Sequence, residues 1–348
     1  MSLFDLADFD DHEQVVFCSD KESGLKAIIA IHNTSLGPAV GGCRMWNYAN
    51  DDDALIDVLR LSRGMTYKNA LAGLTMGGGK SVIIGDPKKI KSNQLFQAFG
   101  YALERLNGRY LSAEDVNITP GDIAIANSVT RFVTGTEGKS GNPAPFTALG
   151  TFLGIKASVK YKFNADNLKN ISVAVQGLGS VGYQLCKHLH KSGAKLIVTD
   201  IDQISLAKAA SEFKADIVGL DEIYDQNVDV YAPCALGATI NDDTLGRLKA
   251  GIIAGCANNQ LAEARHDHAL FEQGILYAPD YVINAGGIIN VSFENNYDVR
   301  KSTRKVEEIY NTLLNIYQQS AKQKQPTGMI ADNMALKIIK AGGKQYLK

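Results

Sequence analysis

The chain lacks a charge bias: across 348 residues, 36 Lys and Arg stand against 37 Asp and Glu, a net charge of −1. That argues against nucleic acid or an anionic membrane as the main partner, because both select basic surfaces. Long apolar runs are missing too. The longest, such as 27–31 and 81–84, have strand length and fall far short of the roughly 18 residues of a membrane span. The five cysteines (18, 43, 186, 234 and 256) are scattered, odd in number and without a CxxC pair. Neither a disulfide framework nor a thiolate zinc site is indicated. The N-terminus, Met1-Ser2-Leu3-Phe4-Asp5, turns acidic at once and shows no basic segment followed by an apolar one. A reducing, cytoplasmic location is the expectation. Repeats and low-complexity tracts are also absent. What remains is ordinary globular composition, 45% hydrophobic and 21% charged, which excludes wholesale disorder. At roughly 150 residues per domain the length suggests two domains, each able to bury a large core.

Residues 15–17 and 25–31 read as strands. Asn50-Asp51-Asp52-Asp53 reads as a helix start, with acids at the positive end of the helix dipole. Leu55, Val58, Leu59 and Met65 follow at helical spacing, and Leu95, Phe99, Ala102 and Leu106 mark a second amphipathic helix. Residues 81–84 form a short strand pattern. Composition shifts over 134–145 (TGTEGKSGNPAP), where three of twelve residues are Gly and two are Pro, the signature of a linker. Beyond it, strand patterns at 171–175, 195–199, 229–232 and 251–254 alternate with helical stretches, as in a parallel sheet covered on both faces. From about Asp298 the chain reads as helical, interrupted near Pro326-Thr327-Gly328.

Gly177-Leu178-Gly179-Ser180-Val181-Gly182 is a GxGxxG sequence between a strand and a helical stretch. Its glycines suit a tight turn, close approach of backbone to a pyrophosphate, and close helix–strand packing. The pyrophosphate then sits on a helix N-terminus. Asp200 ends the next strand, where a carboxylate can accept from the ribose hydroxyls and repel a 2′-phosphate. Ile201-Asp202-Gln203 offers no arginine, so NAD is expected over NADP. The competing reading is a structural turn with Asp200 as a helix cap.

Gly77-Gly78-Gly79-Lys80-Ser81 invites comparison with a phosphate loop, but that motif needs glycine where Leu74 stands. A different reading pairs Lys68, at the end of the first amphipathic helix, with Lys80 on a glycine loop. Two ammonium groups sharing a site repel each other, and burial adds to the effect. Both favour the neutral amine that a lysine general base needs. Asp115 is the plausible acid partner, with a helix cap as its alternative role.

Several segments resemble a known family. They are Gly37-Pro38-Ala39-Val40-Gly41-Gly42-Cys43-Arg44-Met45, Gly64-Met65-Thr66-Tyr67-Lys68 with the Gly77–Lys80 run, Pro233-Cys234-Ala235-Leu236-Gly237, Ala257-Asn258-Asn259-Gln260, and 279–287 (PDYVINAGG). These resemble the glutamate/leucine/phenylalanine/valine dehydrogenase superfamily over nearly the whole chain, most of all its leucine enzymes. The resemblance implies an α/β protein of two domains separated by a cleft: an N-terminal catalytic and oligomerisation domain (1–135) and a C-terminal NAD-binding Rossmann domain (136–325). A last helix (326–348) would return to the first domain. It implies reversible oxidative deamination, in which an L-amino acid, NAD and water give a 2-oxo acid, ammonium and NADH. Lys68 would hold the substrate carboxylate, Lys80 would activate water as general base, and Asp115 would shuttle protons to and from the nitrogen. Thr147 and Asn259 would lie near the nicotinamide, with Cys234 and Ala235 facing the cofactor.

By the same resemblance, Val40, Gly41, Met65, Ala113, Thr134, Ile288 and Val291 would line the side-chain pocket. These are aliphatic or small residues with no cation for a second carboxylate, and a buried unpaired charge costs several kcal/mol. Glutamate is therefore disfavoured and leucine, isoleucine and valine are expected, with phenylalanine or tryptophan as the alternative. Asp115-Val116-Asn117-Ile118-Thr119-Pro120 and Lys139-Ser140-Gly141-Asn142-Pro143 look closer to a tryptophan dehydrogenase of the family. The tail 341–348 (AGGKQYLK) is short beside that of the leucine enzymes, leaving octamer and dimer open for the expected homo-oligomer. No metal is expected: His188 with His190 and His266 with His268 are two apart and read as surface groups. Tyr67, Trp46 and Cys234 read as packing residues. A 2-hydroxy-acid dehydrogenase lacks its histidine–carboxylate pair here, and a non-catalytic NAD sensor would not be expected to keep Lys68, Lys80 and Asp115.

Overall fold

The computed structural model describes residues 3–135 and 140–343. Parts of the expected linker (136–139) and tail (344–348) lie outside the described residues. The chain divides into two compact units. One comprises Met1–Gly141, Val291–Tyr297 and Ala335–Lys348; the other comprises Asn142–Asn290 and Asp298–Met334. The units are therefore not consecutive blocks, and the segment 291–297 joins the first unit from within the second half of the sequence.

In the first unit the strands are β1 (Gln14–Asp20), β2 (Leu25–Asn33), β3 (Ala39–Trp46), β4 (Gly77–Ile84) and β5 (Tyr110–Glu114), in the order β1-β2-β4-β3-β5. Helix α1 (Asp51–Leu71) covers one face, α2 (Asn93–Arg105) and α3 (Pro120–Asn127) the other. The two-residue period of β2 shows why. Ala27, Ile29 and Ile31 enter the core shared with Leu95, Phe96 and Phe99, while Ile28 and Ala30 meet Leu55, Val58 and Leu59 of α1. Both faces are buried, so β2 reads as a continuous apolar run. Helix α1 starts where the acids predict, with Asn50 accepting from the Asp53 N–H at 2.9 Å.

Two elements differ from expectation. Gly77–Gly79 and Lys80 belong to β4, a strand between β2 and β3, and not to a loop. Glycine is a poor strand former, but here the neighbours demand it: a Cβ on Gly78 would lie 2.1 Å from the Thr66 backbone nitrogen of α1. Trp46 ends β3 with 47% of its surface exposed, so it is not a core residue.

The second unit holds α4 (Ala144–Phe163), β6 (Ser172–Gln176), α5 (Ser180–Lys191), β7 (Lys195–Thr199), α6 (Gln203–Phe213), β8 (Asp216–Ile217), β9 (Val230–Pro233), α7 (Asp242–Leu245), β10 (Ile252–Ile253), α8 (Arg265–Glu272), β11 (Leu276–Tyr277) and α9 (Asp280–Ile283). Helix α10 (Gly286–Ser292) and then α11 (Val299–Gln323) and α12 (Thr327–Gly343) follow. The sheet is wholly parallel in the order β11-β10-β9-β6-β7-β8. This is the doubly wound dinucleotide-binding order, reversing direction between β6 and β9. The edge strands β8 and β11 have only two residues each, too few to leave a period in the sequence. His266, read as a surface group, is buried at 1% exposure and bonds Asp242 at 3.2 Å. No helix among the described residues is long and apolar enough to cross a membrane.

Candidate active site

In the first unit, strand register builds the site. Val40 pairs with Gly78 and Cys43 with Ser81, which sets Gly42 beside Lys80. Cys43 also pairs with Glu114, and the Met45 N–H donates to the Val116 carbonyl at 3.0 Å, which brackets Arg44 with Asp115. Lys80 reaches over Gly42 to Asp115, with Nζ 2.8 Å from Oδ2. A side chain on Gly42 would block this path, since its Cβ would lie 2.8 Å from that of Asp115. Lys80 is buried at 5% exposure, while Asp115 is half-buried. Burial pushes the Asp115 carboxyl up, but Lys80 and then Arg44 outweigh it and hold the group below the usual carboxylate range. The contact adds to the sequence reading a feature it did not contain, an ion pair between Lys80 and Asp115.

Lys68 lies half-buried in the last turn of α1. Its neighbour Asn69 donates to the Gly77 carbonyl at 2.6 Å and ties that turn to β4. Gly78 and Lys80 share a strand face, and α1 packs on that face through Thr66. Of the expected pocket residues, Val40 and Gly41 lie on β3, and Ala113 is paired to neighbouring Gly42 on β5. A Cβ on Gly41 would sit 3.2 Å from Met65 Cγ. The Thr134 N–H bonds the Ser112 carbonyl at 2.8 Å. Val291 is buried in the first unit, whereas Ile288, also on α10, belongs to the second.

In the second unit, β6, β7, β9 and β10 end at one edge of the sheet and carry Gly177–Gly182, Asp200, Cys234 with Ala235, and Asn259. Three glycines serve three needs. Gly177 has φ +104°, a left-handed value that favours glycine, and packs on Ala235. A Cβ on Gly182 would lie 2.0 Å from the Gly177 carbonyl oxygen, so only glycine lets α5 approach β6. A Cβ on Gly179 would meet nothing within 4 Å, and no side chain caps α5 there. Gly179 and Ser180 are exposed and Val181 is half-buried, and an uncapped first helical turn with open space at Gly179 fits a pyrophosphate.

Asp200 accepts from the Leu178 N–H at 2.5 Å and the Asp202 N–H at 2.8 Å, one on each oxygen. A carboxylate has about four acceptor sites, so hydroxyls can still bind there. It does not cap α6, because Asp202 does so through Ile204 and Ser205. Thr147, in the first turn of α4, donates to the Pro143 carbonyl at 3.2 Å, and Gly287 packs against it. Asn259 has φ +50° and its carbonyl accepts from the Ala238 N–H at 2.7 Å. Cys234 is half-buried, and its nearness helps push the Cys256 thiol up.

Two charged groups escaped the sequence reading. Arg44 Nε lies 3.4 Å from Asp115 Oδ2, and its Nη1 lies 3.1 Å from Asp57. Glu294, 8% exposed, accepts from the Thr134 hydroxyl and from the Gly135 N–H at 2.6 Å, beside the expected pocket. Arg44 stands in a quoted motif, yet nothing local ties it to Asp115. Glu294 has no sequence signal, since its partners lie about 160 residues away.

The family model described as Glu/Leu/Phe/Val dehydrogenase, dimerisation domain, matches residues 12–132. The model described as glutamate/leucine/phenylalanine/valine dehydrogenase matches 198–341. A leucine dehydrogenase of Bacillus subtilis is 54% identical over 96% of this chain and 93% of its own. An L-tryptophan dehydrogenase of Nostoc punctiforme is 49% identical over 96% of this chain and 95% of its own. The crystal structure of the Nostoc punctiforme L-tryptophan dehydrogenase aligns with a TM-score of 0.83 at 46% identity, over 96% of this chain and 97% of that one.

Proposed function

The chain belongs to the Glu/Leu/Phe/Val dehydrogenase family and is an amino-acid dehydrogenase, and from that premise we propose reversible NAD-dependent oxidative deamination of leucine, isoleucine and valine. The observation that carries the chemistry is the buried Lys80–Asp115 pair in the first unit. The Lys68 ammonium binds the substrate carboxylate. NAD, when bound, would supply the hydride acceptor, and the chain's own residues hold the substrate and move protons. Lys80, once neutral, takes a proton from water attacking the imino carbon. Asp115, ionised, accepts a proton from the substrate nitrogen and returns one to the leaving ammonia. Asp200 and the absence of a cation at 201–203 support NAD over NADP.

Two features support an aliphatic substrate. Val40, Met65, Ala113 and Val291 offer no polar anchor. The identity to leucine dehydrogenases supports the same reading. The second reading, an aromatic substrate, is favoured by the likeness to the tryptophan enzyme. The protein acts as a cytoplasmic homo-oligomer, a proposal that a monomer by light scattering would overturn.

The test is NADH formation at alkaline pH with leucine, isoleucine, valine, phenylalanine, tryptophan and glutamate. Preference for the branched-chain set is expected. Preference for an aromatic would move the substrate and keep the mechanism, and no turnover of any amino acid would overturn the reading.

A further inference from the structure

A carboxylate 2.8 Å from a buried ammonium is a poor arrangement for a lysine base. It favours the charged amine, while the proposed chemistry needs the neutral one. The residues around the pair supply a counterweight. Arg44 and Lys80 converge on the same atom, Asp115 Oδ2, at 3.4 and 2.8 Å. The guanidinium cannot lose its proton in the working range, so it is a fixed cation that shares the Asp115 charge and repels a second cation at Lys80.

Behind it, Asp57 takes Arg44 Nη1 at 3.1 and 3.4 Å, and Tyr48 donates its hydroxyl to Asp57 at 2.6 Å. Along the row Lys80, Asp115, Arg44 and Asp57 the charges alternate, with side-chain exposures from 6% to 22%, dry enough for each to act on the next. The other groups facing the pair leave this balance in place. Cys43 and Tyr110 stay uncharged, since burial pushes the Cys43 thiol up to about 12 and the Tyr110 phenol up as well. Burial and then Asp115 raise Glu114. Asp122 is committed to Lys91, and Lys68 binds the substrate carboxylate in the proposed complex.

We propose that Arg44 is a positioning residue that sets the pH at which Lys80 releases its proton, by drawing part of the Asp115 charge away from the lysine. Asp57 tempers Arg44 and so acts in the opposite sense. The inference rests on Lys80 as the general base.

The experiment is the pH profile of kcat/KM for oxidative deamination by the full chain with NAD, for the unsubstituted protein, Arg44→Gln, Arg44→Lys and Asp57→Asn. The substrate amine titrates identically in all four, so any displacement between profiles belongs to the protein. For Arg44→Gln the rising limb should move by about one pH unit to the alkaline side. Activity then falls about tenfold near neutral pH and recovers at alkaline pH. Arg44→Lys should restore most of the profile. Asp57→Asn should shift the limb the other way, by less. An Arg44→Gln variant that loses activity in equal proportion at every pH, or whose limb stays in place, overturns the proposal. In a Lys80→Ala background Arg44→Gln should no longer displace the limb, and a displacement that persists there overturns the base assignment on which the proposal stands.

Discussion

Both units place glycines at the C-terminal ends or along the course of parallel strands, yet the glycines answer to different masters. In the first unit the protein itself requires them. A Cβ on Gly78 would strike Thr66 at 2.1 Å, and one on Gly41 would strike the Gly79 carbonyl oxygen at 1.9 Å. In the second unit Gly177 and Gly182 are likewise packing glycines, but Gly179 meets nothing. No contact within the described residues requires its lack of a side chain, and we propose that it serves the cofactor. A glycine whose Cβ would clash reports on the fold, and a glycine facing open space at an uncapped helix end reports on a ligand.

The largest effect expected along this divide is catalytic. Lys80→Ala should lower kcat by roughly 10²–10⁴-fold, the range for loss of a general base. NAD affinity, measured by fluorescence titration, should stay unchanged, because Gly177–Gly182 and Asp200 lie in the other unit. A parallel loss of NAD affinity would break the separation.

Next in size is a stability contrast between glycines. Gly78→Ala should destabilise by about 3 kcal/mol or more, because α1 must move off β4. It should appear as a drop in Tm. Gly179→Ala should keep the Tm and weaken NAD binding. Equal Tm values for the two variants would erase the distinction.

A smaller effect sharpens the role of Asp200, which holds the glycine turn through Leu178 and is proposed to bind the ribose. Asp200→Ala should weaken NAD about tenfold while leaving NADP less affected, since a repulsive charge is removed along with an acceptor. Equal losses for both dinucleotides would make Asp200 a support of the turn alone.

How much was legible follows the range over which each signal acts. The GxGxxG turn, the strand before it and the acid at Asp200 lie within a short stretch, so period and spacing exposed them. The helix start at Asn50 is equally local. Strands β3 and β5 escaped because β3 is a central strand with two glycines and no alternation, and β5, at the sheet edge, has only five residues. Lys80 was placed in a loop for the same reason, since three glycines read as flexible until the packing of Thr66 explains them. His266 looked like a surface group because its burial comes from chain segments distant in sequence.

The amino-acid sequence by itself showed the strand–helix alternation of the second unit and its GxGxxG motif and, through resemblance, the two-domain α/β fold and the candidates Lys68, Lys80 and Asp115. Each depends on periodicity or on motifs a few residues long. Only the tertiary structure decided which charges those residues meet. Arg44 and Asp115 are 71 residues apart, and Glu294 and Thr134 are 160 apart. Electrostatic interaction depends on distance in space and on burial, and neither quantity exists until strands pair and helices cover them.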